Sequence, residues 1–411
     1  MSNINIPEVA PLPPQNIVIV AGEASGDLLG GALLAQLKQR HPNLAFAGVG
    51  GPRMQEQGLK GPYDVNDLSV IGIVEVIKHL PGLIRVFKYL TALLRDNKPQ
   101  LLVTIDLPDF NFFLAGRAKA LGIPIVHYVS PQVWAWRSGR IKKIARLVNH
   151  LMVLFPFETT IYSHTKLPVT FVGHPLVEQM QPWCEKRDAG IESKVVRKSL
   201  GVGEDEKLLV ILPGSRQSEL KLLLPTMLET FNQLYKKNNK IRCVLAQADT
   251  ISDTKMDSVW PTDIELPGVQ ALKKTILVRK SETYSLLMAA DAALVASGTA
   301  TLETALLGTP MVVMYRFNKL TYELGRRIIK VPYFALANLV AEKKLVDERL
   351  QDAANPTQLA KDLDEILNND KVVAQIDEGY RELRAKLSHP SRLPVDVITD
   401  FLSESSSKNI P

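Results

Sequence analysis

The chain has 411 residues, 46% of them hydrophobic, a formal net charge of +6 and two cysteines. That length can bury one large core or two, no apolar run of roughly 18 residues offers a membrane-spanning helix, and Cys184 and Cys243 stand apart, outside any C-x-x-C or Cys/His cluster, which argues against zinc and against a disulfide framework. The positive charge favours anionic partners (nucleic acid, acidic lipid or phosphorylated metabolites) without choosing among them.

The opening MSNINIPEVAPLPPQ lacks a basic start followed by an apolar block, so a secretory signal is not expected and a cytosolic chain is. Residues 17–20 read as a β-branched strand that breaks at Ala21-Gly22, with a helical pattern over 28–37. Gly22, Ser25 and Gly26 at this strand end suit close approach by a ligand; a tight turn capped by Ser25 or Asp27 is the alternative. Residues 68–77 are strongly apolar, and suit either an acyl-chain groove or a buried element. The strand LLVT then leads into IDLPDFN, where Asp106 and Asp109 flank the stiff Pro108. A partly desolvated carboxylate there is a candidate base for an acceptor hydroxyl, and equally a candidate helix cap.

The strand IVHYVSP precedes QVWAWR, in which Trp134, Trp136 and Arg137 lead to Arg140, Lys142, Lys143 and Arg146. Indoles beside cations suit a phosphorylated lipid at an interface, would also suit RNA, and are otherwise core tryptophans beside a solvated helix. LMVLFP before FETTIYS repeats the strand-to-helix grammar, and apolar strands alternating with helices predict a parallel sheet covered on both faces. Residues 181–207 turn polar and charged and are expected to be the crossing between lobes.

The second lobe opens with LLVILPGSR. Its small-residue turn, Gly214-Ser215-Arg216, can offer backbone N–H groups to an anion while the Arg216 fork meets phosphate oxygens; a plain βα turn with a solvated arginine is the alternative. Strands follow in IRCVLAQ, TILVRK, AALVA and PMVVMYR. After AALVA, Ser297, Gly298 and Thr299 open a helix that carries Glu303, whose carboxylate is not claimed by a capping box because position 300 is Ala, and so is available to ribose hydroxyls. Tyr315, Arg316, Phe317 and Lys319, with Arg326, Arg327 and Lys330, give this lobe a candidate membrane-facing side. The serine-rich end from Ser403 is expected to fray. Neither GxxxxGK[ST] nor GxGxxG spacing is present, so ATP hydrolysis and hydride transfer lose ground. The fold expected is α/β, with two Rossmann-like, doubly wound lobes and ligands at the carboxyl ends of their strands, in an interlobe cleft.

Taken in order, GEASGDLLGG, GVGGPRM, IGIVEVI, DLPDFN, YVSPQVWAWR, FPFE, FVGHPL, LPGSR, SGTATLE, ANLVA and residues 348–351 resemble the lipid-A-disaccharide synthases, over about residues 17–351. The resemblance implies the GT-B architecture: an acceptor-binding lobe over 1–182, a UDP-sugar lobe over 183–360, helices over 361–403 returning to the first lobe, and a disordered tail over 404–411. It implies an inverting glycosyltransferase that joins UDP-2,3-diacylglucosamine to 2,3-diacylglucosamine 1-phosphate, giving the lipid A disaccharide 1-phosphate and UDP, at the inner face of the cytoplasmic membrane. Asp109 is then the base for the acceptor 6-hydroxyl and Arg216 the diphosphate partner. Ser297, Gly298, Thr299 and Glu303 hold phosphate and ribose, with Asn338, Glu348 and Gln351 near the donor. Asp106, Trp136, Arg137, Gly22, Ser25, Gly26, Gly214 and Ser215 complete the substrate-binding set. No metal or other cofactor and no nucleic-acid partner is expected, and a homodimer with exchanged C-terminal parts is. Where the family commonly has Pro or Lys before the glutamate of its last motif, this chain has Asp347. The rival readings are a UDP-sugar epimerase or hydrolase of the same fold, which would turn over donor alone, and a non-enzymatic binder of RNA or anionic membrane.

Overall fold

The computed structural model describes residues 6–68, 73–131, 139–263, 268–318 and 332–407. The chain forms two compact units, one of residues 1–174 with 389–411 and the other of residues 175–388.

In the first unit six parallel strands, β1 (Asn16–Ala21), β2 (Ala45–Val49), β3 (Leu101–Ile105), β4 (Ile125–Tyr128), β5 (His150–Val153) and β6 (Val169–Phe171), lie in the order β2-β1-β3-β4-β5-β6. β1 and β3 are wholly buried because both faces are covered. Val18 and Val20 join one core with Leu90, Leu93 and Leu114, while Ile17 and Ile19 join the other with Leu33, Leu34 and Ile398. The second unit repeats the plan with β7 (Lys207–Leu212), β8 (Ile241–Gln247), β9 (Ile276–Lys280), β10 (Ala292–Ala296), β11 (Met311–Tyr315) and β12 (Asp347–Leu350), in the order β12-β11-β10-β7-β8-β9 and parallel throughout. In each sheet the winding direction reverses once, between β1 and β3 and between β7 and β10.

The units divide at His174 and again at Ser388, not at 182/183 and 360/361. The polar stretch over 181–207 is no linker: it falls largely in the helices Pro175–Ala189 and Ile191–Ser199, which expose one face and use the other within the second unit. Met180 is fully buried there, and Cys184 Sγ and Arg187 Nη1 donate to the Leu306 carbonyl at 3.4 and 3.2 Å. The helices Pro356–Asn368 and Asp370–Ser388 also stay in the second unit, where the apolar stripe of Leu359, Leu363, Ile366 and Leu367 packs on the helix Gln217–Lys237. Only the helix Pro394–Ser407 belongs to the first unit, with Val395, Ile398 and Leu402 packed in its core beside the helix Ala24–Arg40. The serine-rich end is helical as far as Ser407 instead of frayed from 404, because those buried anchors tie the helix down.

The close packing of β1 on β2 depends on Gly48, whose φ is +141° and whose added Cβ would lie 2.0 Å from the Ile19 carbonyl oxygen of the neighbouring strand. Since a backbone atom cannot swing away, Gly48→Ala is expected to cost about 2 kcal/mol or more. Urea unfolding of the purified variant measures this, and an unchanged midpoint would show that the strand pair tolerates a side chain.

Candidate functional site

In an open parallel sheet the helices leave in opposite directions on the two sides of the strand-order reversal, which opens a crevice at the carboxyl ends of the strands. In the second unit that crevice is a cavity of about 440 Å³, walled by the turn after β7, the ends of β8 and β11, and the helix start after β10. It brings together seven expected residues, Gly214, Ser215, Arg216, Ser297, Gly298, Thr299 and Glu303, and adds Glu219, Thr283 and Tyr315.

The turn after β7 is organised by Glu219, in the first turn of the helix Gln217–Lys237. Its Oε2 accepts from the Ser215 and Arg216 backbone N–H groups at 3.1 and 3.3 Å, and its Oε1 accepts from Arg216 Nη1 at 3.4 Å. The N–H groups expected to face an anion are therefore already capped by a carboxylate, a capping pattern carried by the residue three positions into the helix. Gly214 is required here: its φ is +113°, and an added Cβ would lie 2.6 Å from Glu219 Oε2. What remains for an anion is the Arg216 side chain, 79% exposed. The Tyr315 phenol pKa is raised by burial and then by the nearby Glu219 carboxylate, with Arg216 opposing.

Opposite lies the helix Thr299–Leu306. Gly298 and Thr299 are exposed at its start, where the first N–H groups have no carbonyl within the helix and the dipole favours negative charge. Ser297 does not share this role by its hydroxyl, which donates to the Phe334 carbonyl at 2.9 Å. One turn on, Glu303 Oε1 accepts from the Tyr284 hydroxyl at 3.0 Å. Burial raises the Glu303 pKa above the ordinary carboxylate value, and the phenol partly opposes this.

The carboxyl edge of the first sheet is built differently. Gly22 and Gly26 are buried, and the space a side chain would take at each is held by the chain itself: Leu107 Cδ2 would lie 2.3 Å from a Gly22 Cβ, and Ala21 Cβ 3.2 Å from a Gly26 Cβ. The glycines thus serve internal packing, leaving Ser25 exposed. Asp27 is buried and accepts from Arg53 N and Met54 N, both at 3.1 Å, so it caps the next helix, not its own. Asp106, Leu107 and Val129 all have positive φ (52°, 42° and 77°) without being glycine. Asn111 holds the first of these in place by donating to the Ile105 and Asp106 carbonyls. The Asp106 pKa is raised by burial, opposed by the Leu107 N–H, and Glu23 is raised by burial and then by Asp106. Asp109, in the first turn of the helix Pro108–Ala120, is 72% exposed and pairs with Arg140 at 2.5 Å.

The family model for lipid-A-disaccharide synthetase matches residues 17–393. The chain belongs to the lipid-A-disaccharide synthase family. It is 38% identical to the lipid-A-disaccharide synthase of Trichlorobacter lovleyi over 376 residues, 92% of each chain, and 40% identical to that of Syntrophus aciditrophicus over 375 residues, 91% of this chain and 94% of the other. Among solved structures it is similar to Acinetobacter baumannii MurG (TM-score 0.55, 13% identity, 95% of this chain and 100% of that one). It is equally similar to a UDP-GlcNAc 2-epimerase from Neisseria meningitidis (TM-score 0.55, 12% identity, the same coverage). At such identities the likeness speaks to fold alone, and the fold is GT-B. A transferase and an epimerase match it equally, so family membership, not architecture, makes the chain a glycosyltransferase of lipid A disaccharide formation.

Three donor residues expected from the family spend their polar atoms on the backbone. Asn338 is fully buried; its Oδ1 accepts from Leu345 N and Val346 N, and its Nδ2 donates to Val346 O. Glu348 accepts from Phe334 N and Ala335 N, capping the helix Leu336–Ala341. Gln351 exchanges hydrogen bonds with the Phe317 N–H and carbonyl at 2.8 and 3.2 Å. The same clamp, with Arg316 Nη2 donating to Ala354 O and Tyr315 lining the cavity, ties the described part of the aromatic and basic segment to the unit. Trp134, Trp136, Arg137, Lys319, Arg326, Arg327, Lys330 and residues 69–72 of the apolar stretch lie outside the described residues. Glu219 and Tyr284 were not anticipated, and Tyr315 was expected on a membrane-facing side, not at the cavity. A glutamate three residues after a turn was the available signal for the first; nothing in the local sequence marks Tyr284.

The raised pKa of Glu303 has a thermodynamic sign. A folded-state pKa above the unfolded one gives stability that is fully present below the ordinary carboxylate value and is lost as pH rises through the folded value. Glu303→Gln cannot ionise and escapes that loss. Its melting temperature is expected to exceed the parent's at neutral pH and to converge with it near about pH 4; a variant equally or less stable at neutral pH would contradict this.

Proposed function

We propose that the cavity of the second unit holds the nucleotide of UDP-2,3-diacylglucosamine and that Asp109 of the first is the base for the 6-hydroxyl of 2,3-diacylglucosamine 1-phosphate. The observation that carries the reading is the meeting, at one strand-order reversal, of an arginine, an exposed helix start and a half-buried carboxylate. These suit diphosphate, diphosphate and ribose respectively. As the acceptor oxygen attacks the anomeric carbon from the face opposite UDP, its proton passes to Asp109 and the bond to the diphosphate oxygen breaks. One displacement inverts the centre. The charge that gathers on UDP is met by Arg216 and by the N–H groups at the start of the helix Thr299–Leu306. Among the described residues no group of three or more His, Cys, Asp or Glu could hold a metal ion.

The exposed position of Asp109 supports its role, since an acyl sugar must reach it and its proton must return to water. The Arg140 pair fixes one carboxylate oxygen and leaves the acidic group held at a helix start. Burial makes Asp106 the more perturbed carboxylate, but its Oδ1 is engaged at 2.9 Å by the Leu107 N–H, which suits a brace of the strained turn.

The reading includes attachment to an anionic membrane surface. No described helix is long and apolar enough to cross a membrane. Supporting a peripheral mode, Phe113 is 68% exposed and Leu80 49% exposed on adjoining helices, and Lys143 from the basic helix Arg140–Leu147 lies 5.6 Å over the Phe113 ring. Apolar side chains beside cations favour insertion at an anionic interface. Co-sedimentation with vesicles of anionic phospholipid is expected to exceed that with neutral vesicles and to fall in Phe113→Asp; equal binding to both would remove this part.

The reaction is tested by UDP release from UDP-diacylglucosamine alone and with diacylglucosamine 1-phosphate. Release is expected only with both sugars, and release from donor alone would favour hydrolysis or elimination. Asp109→Ala is expected to bind UDP as the parent does while turnover falls about 100-fold or more; equal loss of binding and turnover would make Asp109 structural.

A further inference from the structure

We infer that Tyr284 is a positioning residue for the Glu303 carboxylate and thereby makes the cavity selective for a nucleotide that carries its ribose hydroxyls. The inference rests on the reading of Glu303 as the ribose acceptor. Tyr284 stands second in the helix Thr283–Ala289, which follows β9, while Glu303 stands on the helix that follows β10. Their contact therefore ties together two elements whose neighbours, Thr283 and Thr299, both line the cavity. The phenol is itself held. Its ring meets Trp183 edge-on, with centroids 5.4 Å apart at 67°, and the Lys186 ammonium lies 4.6 Å over the indole.

The consequence is geometric. Glu303 Oε1 accepts from the Tyr284 hydroxyl at 3.0 Å, and no described residue donates to Oε2, on a side chain that lines the cavity. An ionised carboxylate accepts only, so the partner it presents itself to is a donor, and a pair of sugar hydroxyls supplies one. Without the phenol the glutamate would lose side-chain freedom each time a nucleotide bound. With it that ordering is already done, and the cost falls on folding instead of on binding. A sugar lacking the hydroxyls would leave the remaining oxygen dehydrated and unpaired, the situation in which a polar site discriminates best.

Tyr284→Phe keeps the ring and its packing on Trp183 and removes only the donor; its melting temperature is the control for folding. Calorimetric titration of the full chain with UDP and with 2′,3′-dideoxy-UDP reads the effect. The parent is expected to prefer UDP by about tenfold or more, and Tyr284→Phe to lose most of that ratio, through weaker UDP binding with the dideoxy Kd within about twofold of the parent's. Adding Tyr284→Phe to Glu303→Gln is expected to change neither Kd further. If the parent discriminates but Tyr284→Phe keeps the ratio, or weakens both nucleotides alike, Tyr284 does not position Glu303 and the inference falls while the ribose reading stands. If the parent binds both nucleotides equally, the ribose reading falls and takes the inference with it.

Discussion

Each sheet is wound outward from one strand in two directions, and most of the chemistry follows from what fills the gap that this reversal leaves. Right-handed crossovers send helices to opposite faces on the two sides of β7 and β10, so nothing of the sheet's own covers the strand ends between them. In the second unit the gap stays open, as a cavity with a turn on one wall and a helix start on the other. In the first the equivalent position between β1 and β3 is taken by Leu107, seated where a side chain on Gly22 would be. The same topology thus gives a nucleotide-sized recess in one unit and a packed corner in the other, with a glycine decisive at both: Gly214 makes room for Glu219, and Gly22 makes room for Leu107.

Charge inside the open recess is more evenly balanced than its sequence suggests. Arg216 is the cation among its described lining residues, but Glu219 and Glu303 line it as well, one on each wall, and Glu219 has taken the backbone donors that a diphosphate would otherwise use. On the proposed reading, a nucleoside diphosphate would be held by a guanidinium and one helix start, a weaker anion trap than a phosphate-binding loop with every N–H free. On that reading, selectivity would come from the sugar rather than from the charge. Keeping Glu303 half-buried works against the fold at neutral pH, and this is the kind of local cost that binding sites carry.

What the sequence reveals about the sheets follows burial. The nine strands read from apolar runs are β1, β3, β4, β5, β7, β8, β9, β10 and β11, which include every interior strand. The three not read, β2 (AFAGV), β6 (VTF) and β12 (DERL), are all sheet edges. An edge strand has fewer neighbours to bury it and needs no continuous apolar run, so hydrophobic patterning loses it. The same logic explains the misplaced boundary at 181–207, where surface helices imitate a linker in composition. At the site, residues on turns after legible strands were found, because the strand fixes where the turn lies. Asn338, Glu348 and Gln351 were placed by family likeness alone, and the hydrogen bonds they make are to backbone groups more than ten residues from Glu303 in sequence, which no local pattern displays.

The first unit puts its distinctive feature into backbone strain. Non-glycine residues in the left-handed region cost on the order of 1 kcal/mol or more each, and three of them, Asp106, Leu107 and Val129, cluster at the carboxyl ends of the adjacent strands β3 and β4. Val129 is β-branched, for which this conformation is least tolerated. The strain is held by specific bonds: Asn111 to the Ile105 and Asp106 carbonyls, and Asp106 N and Val129 N to the Tyr128 and Met152 carbonyls. Two successive left-handed residues turn the chain sharply out of β3, so that the helix Pro108–Ala120 begins at the carboxyl end of that strand with Asp109 in its first turn and facing solvent. A relaxed turn would spare the strain but would start that helix elsewhere. The exposed carboxylate of Asp109 thus stands on a helix whose start is set by a cluster of left-handed residues.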